Sequence, residues 1–96
     1  MAHRGKREFL ARLYGDVCFY CQCEFRETGS RRRTLDHLVP ASLGGPTRLW
    51  NLVLACDGCN RAKGNRSWSE YLHSETYRRR QHPVSRKPVI LTDLRS

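Results

Sequence analysis

The chain has 96 residues, 28% of them charged and 39% hydrophobic, and its 18 Lys and Arg against 9 Asp and Glu leave a net charge of +9. One domain over 1–96 is expected at this length, with a core small enough to call for a metal or disulfide staple, and the charge points to a polyanion, nucleic acid ahead of an anionic membrane. No apolar run reaches the roughly 18 residues that span a bilayer, and MAHRGKREFL lacks the apolar centre of a secretory signal, so a cytoplasmic location and no membrane partner are expected.

In chain order, RGKREFLARLY over 4–14 predicts a helix with Phe9, Leu10 and Leu13 on one face, ended by Gly15. CFYC over 18–21 reads as a tight turn. RTLDHLV over 33–39 reads as a strand stopped by Pro40, followed by a Gly/Pro loop over 40–50 and a second strand, NLVLA, over 51–55. A helix starts within CDGCNRAKG, with Asp57 as its cap. Ser67-Trp68-Ser69-Glu70 is a capping box opening a helix over about 68–80, with Trp68, Tyr71, Leu72 and Thr76 on one face. Arg78, Arg79 and Arg80 end it, where cations suit the helix dipole. The basic tail, 81–96, holds two prolines and reads as an extended arm. No repeat or linker divides the chain.

Five cysteines, an odd number, argue against a disulfide framework. Cys18-x-x-Cys21 and Cys56-x-x-Cys59 are two equal knuckles, each turning two sulfurs to one point, and together they make a tetrahedral zinc site. Four sulfurs leave no open position, so this zinc is structural, and its binding energy, about 10–16 kcal/mol in finger peptides, would support a weak core. A redox C-x-x-C would not explain the second knuckle. Cys23, one residue beyond Cys21, has the wrong spacing and is left out.

Asp36, His37 and Asn51 lie between the knuckles and Asn60 directly after the second. With the run LDHLVPASLGGPTRLWNLVLACDGCNRAKGN over 35–65, they resemble the HNH endonucleases. The resemblance implies a small zinc-stabilised α+β domain: a ββα-metal core over about 15–66, made of a two-stranded antiparallel hairpin plus a helix, with flanking helices. It implies a catalytic Mg²⁺ or another divalent ion on Asp36 and Asn60, His37 as the base that takes a proton from water, and ends carrying 5′-phosphate and 3′-hydroxyl. Asn51 would tie the 40–50 loop and orient His37. The third residue of the family's name is often His; the Asn60 form also occurs, and an amide oxygen suits a hard ion.

Lys63 matches the family's lysine, and with Arg61, Arg31, Arg32, Arg33, Arg78, Arg79 and Arg80 it is expected to meet DNA phosphates, which position a protein without reading bases. His3, His73 and His82 are expected on the surface. The expected function is a metal-dependent DNA endonuclease of weak sequence specificity. The alternatives are a non-catalytic zinc-ribbon DNA-binding module and a zinc-clipped adaptor; simple binding needs none of Asp36, His37 and Asn60. Substrate structure stays open, as does assembly into a homodimer or a larger phage or restriction complex. A phage-encoded chain would act in the host cytoplasm.

Overall fold

The computed structural model describes residues 4–80, so the expected tail arm, His3 and His82 lie outside the described residues. The first helix, α1, runs Arg4–Tyr14 as expected. Its apolar face is narrower than the sequence pattern: Leu10 is fully buried, but Phe9 and Leu13 are exposed. Leu10 packs on Leu52 and Leu54 of the sheet, with Ala11 beside it. Gly15 stops the helix in the left-handed region at φ 93°, open to glycine without strain, and its N–H donates to the Ala11 carbonyl at 2.9 Å.

After the Cys18–Cys21 knuckle, strand β1 (Arg33–His37) pairs antiparallel with β2 (Leu52–Cys56), Arg33 opposite Cys56 and His37 opposite Leu52. β1 ends two residues before the expected position because Asn51 takes over its partners. Leu38 N–H donates to the Asn51 carbonyl at 2.8 Å, and Val39 N–H to the Asn51 side chain at 3.0 Å. Every residue of β2 is buried, so the strand reads as a continuous apolar run rather than an alternating one. Successive side chains still point to opposite faces. Leu52 and Leu54 face α1, while Val53 and Ala55 join Cys18, Cys21, Cys56, Cys59, Tyr20, Tyr71 and Tyr77 on the other face.

Helix α2 (Asp57–Lys63) follows β2 without a loop. Its cap is Cys56, not Asp57: the Cys56 Sγ accepts the Cys59 N–H at 3.4 Å. Asp57 lies in the first turn and holds Arg32 at 3.1 Å and Arg61 at 2.9 Å. The capping box at Ser67 and Glu70 is present, but the single helix expected over 68–80 is two, α3 (Trp68–Leu72) and α4 (Glu75–Arg80). Ser74 causes the break. Its Oγ accepts the Tyr77 N–H at 3.1 Å, a second N-cap, and the re-aimed helix brings the Tyr77 hydroxyl to the Tyr20 carbonyl at 2.8 Å. The fold is α+β, a hairpin plus helix with flanking helices.

Candidate active site

Cys18, Cys21, Cys56 and Cys59 are buried, and their sulfurs all lie within 4.8 Å of one another. Tetrahedral zinc with Zn–S near 2.3 Å sets sulfurs about 3.8 Å apart; Cys21 and Cys56 stand at 3.9 Å, so the set fits such an ion. Without a cation four sulfurs this close cannot hold charge alike. Cys56 is driven far below the usual thiol range by hydrogen bonds from Cys18, Cys21 and Cys59, and Cys21 is pushed up by the Cys18 and Cys56 sulfurs. Donors surround the clip: the Tyr71 hydroxyl reaches the Cys59 Sγ at 3.2 Å, and an Arg80 Nη2 lies 3.8 Å from the Cys56 Sγ. Cys23 is not one of these four sulfurs but packs beside them, its side chain interacting with Cys18, Cys21 and Cys56, and its carbonyl accepts the Cys18 N–H at 3.0 Å.

Asp36 and His37, adjacent in β1, diverge across the sheet. Asp36, opposite Val53, points toward α2 and is buried. Its Oδ2 accepts the Tyr20 hydroxyl at 2.5 Å and its Oδ1 pairs with the Lys63 Nζ at 3.2 Å. Lys63, expected on phosphate, is 1% exposed, and its Nζ also donates to the His37 carbonyl at 2.9 Å. Asn60, one turn earlier on α2, donates through Nδ2 to Thr34 Oγ1 at 2.9 Å and to the Leu35 carbonyl at 3.2 Å. Its Oδ1 meets no donor among the described residues. Two donors fill half of the roughly four acceptor sites of the Asp36 carboxylate, so the pair keeps hard oxygen donors on facing strand and helix, of the kind a divalent ion takes.

His37 is half-buried on the α1 side, its Nε2 2.9 Å from Thr47 Oγ1. Thr47 is held from behind. Buried Asn51 bonds both backbone groups of Val39 at 3.0 Å and donates to the Pro46 carbonyl at 2.9 Å, so its side chain fastens the loop carrying Thr47. Gly45 makes room for this: a Cβ there would lie 1.8 Å from the Val39 carbonyl oxygen and 2.8 Å from Asn51 Nδ2.

The basic residues divide. Arg32 and Arg61 share Asp57, Arg33 pairs with Asp16 at 3.1 Å, and Arg78 and Arg79 pair with Glu75. Arg80 turns inward to the sulfurs, and with Arg32 and Arg61 it lines a surface depression beside Asp57. His73 is exposed, with Nδ1 on the Ser69 carbonyl. Sequence patterns missed Tyr20, Thr47, Tyr71 and the burial of Lys63, because each depends on a long-range contact; the one local signal was Tyr20's place inside the knuckle.

The HNH endonuclease family model matches residues 18–66. The CRISPR-associated endonuclease Cas9 of Actinomyces naeslundii is 43% identical over 54 residues, 55% of this chain and 5% of that protein. The crystal structure of the Type II-C Cas9 enzyme from that organism is similar with a TM-score of 0.54 and 30% identity, covering 94% of this chain and 10% of that one. The chain therefore spans a small fraction of the length of either relative.

Proposed function

The chain belongs to the HNH endonuclease family, and from that premise we propose that it is one nuclease domain that hydrolyses DNA phosphodiester bonds, with zinc in the four-cysteine clip and a divalent ion on Asp36 and Asn60. The observation that carries this is the anchored imidazole. The Nε2 of His37 is engaged with Thr47 Oγ1 at 2.9 Å; in the tautomer that carries its proton on Nε2, the ring presents a bare Nδ1 that can take a proton from water attacking phosphorus in line. Thr47, Pro46 and Asn51 hold the ring in that orientation. Asp36, one position earlier in β1, offers its carboxylate from the α2 side of the sheet, and Asn60 its free amide oxygen. A bound Mg²⁺ or similar ion supplies Lewis-acid stabilisation of charge on the phosphate and the leaving 3′-oxygen, which implies 5′-phosphate and 3′-hydroxyl ends.

Arg31, Arg32, Arg33, Arg61, Arg78 and Arg79 are the phosphate contacts in this account. Surface ion pairs such as those of Arg61 and Arg78 are worth about 1 kcal/mol or less, so phosphates can replace Asp57 and Glu75 as partners. Incubation with supercoiled plasmid in Mg²⁺, in Mn²⁺ and in EDTA tests the function. Nicked circles that a ligase reseals are expected with divalent ions alone; DNA binding without cutting under any of them would leave a non-catalytic zinc-ribbon module.

A further inference from the structure

Lys63 holds the seat of a cation. Its side chain is 1% exposed, and the ammonium rests on two oxygens, the Asp36 carboxylate at 3.2 Å and the His37 carbonyl at 2.9 Å. A carboxylate and a carbonyl are the hard donors that Mg²⁺ or Mn²⁺ would take, and burial keeps water from screening them. We propose that the Lys63 ammonium is a built-in counter-ion that occupies part of the divalent site and is displaced when the divalent ion binds Asp36. This rests on the ion site assigned under the proposed function.

Charge balance requires one cation there at a time. Asp36 is buried, and a buried carboxylate without a partner is strongly unfavourable. Two cations on one carboxylate repel at close range. Lys63 thus fills the site when it is empty and competes for it when an ion arrives. Asp36 need not move in the exchange. Tyr20 holds Oδ2, and Tyr20 is itself fixed from both sides, by the Phe19 N–H on the Leu54 carbonyl at 2.9 Å and the Tyr77 hydroxyl on its own carbonyl. Only Oδ1 and the His37 carbonyl change partner. Lys63 is the last residue of α2, before Gly64, so its long stem can swing to the surface, where a phosphate could meet it.

The test uses the full zinc-loaded chain and Mn²⁺, whose free signal is read by electron paramagnetic resonance. Lys63→Met keeps the stem and removes the charge. It should melt below wild type in metal-free buffer, recover as Mn²⁺ is added, and bind Mn²⁺ about 5- to 150-fold tighter, the usual span of coupling between two ligands. Lys63→Met with Asp36→Asn should show neither the recovery nor the tightening. A purely structural lysine would give the lower melting alone, so Mn²⁺ affinity equal to or below wild type overturns the proposal. If Lys63→Met does not fold, the wild-type chain labelled with ¹⁵N-lysine decides. The buried ammonium should give an exchange-protected signal that Mg²⁺ removes; a signal unchanged at Mg²⁺ levels that support cutting overturns it. Failure of the nuclease function is separate and shows as no plasmid cutting by wild type, whatever Lys63 does.

Discussion

Asp36 is tolerated in the core by two partners from different parts of the chain, Tyr20 from the knuckle and Lys63 from α2. Removing one partner of a buried ion pair costs about 3–5 kcal/mol, whereas Tyr20→Phe removes a hydroxyl and leaves the ion pair. We expect Tyr20→Phe to keep its zinc and to lose about 1–3 kcal/mol in urea unfolding, with a further loss of plasmid nicking because Asp36 is no longer fixed; unchanged nicking would detach Tyr20 from the site. Tyr20 also sets an alkaline limit. Burial first, then the charge of Asp36, holds its hydroxyl far above the usual tyrosine value, and burial with the Cys59 hydrogen bond does the same for Tyr71. An unfolded tyrosine ionises near pH 10. The folded chain keeps those protons where the unfolded chain releases them, so stability is full below about pH 10 and falls above it. Absorbance at 295 nm should show these two tyrosines ionising only together with loss of helical circular dichroism; their ionisation in a folded chain would contradict the burial. At this scale Asp36, His37 and Asn60 were legible as a spaced pattern. Their partners were not, because Tyr20 and Lys63 lie 16 and 27 residues from Asp36, and only packing brings them near.

Among the elements, the knuckles, hairpin and α2 were legible because cysteine spacing and apolar runs are local signals. The boundaries moved where a side chain replaced a backbone partner: Asn51 at the end of β1, the Cys56 sulfur at the start of α2, Ser74 between α3 and α4. Those substitutions look like ordinary polar residues until the chain is folded. Two variants test elements. Ser67→Ala removes the α3 cap and should cost about 1 kcal/mol in urea unfolding without changing nicking, since the hydrogen bonds of α3 reach Leu38 and Cys59 rather than His37 or Asn60. Gly45→Ala forces a methyl into the Val39 carbonyl, so the loop must shift and carry Thr47 away from His37. Nicking should fall while zinc content stays at wild type; normal nicking would show that the loop does not set the imidazole.

For the whole molecule, the four-cysteine cluster joins distant parts of the chain. It ties the knuckle to the β2–α2 junction, and Tyr71, Tyr77 and Arg80 close the C-terminal helices over it. Cys56→Ala takes away a sulfur, the α2 cap and the Arg80 contact together, so we expect loss of zinc and of cooperative melting; a wild-type melting curve would show that the core stands without the clip. The net charge forecast a polyanion but not which arginines remain outward, since Arg80 and Lys63 turn inward only through tertiary contacts. His37, held by the loop, is proposed as the base of a DNA endonuclease. The most direct measurement is the rate of plasmid nicking by His37→Ala beside wild type, in the same Mg²⁺ and at matched zinc content and melting temperature. A loss of about 10²-fold or more is expected, the usual range for a general base; nicking by the variant at the wild-type rate would rule His37 out as the base.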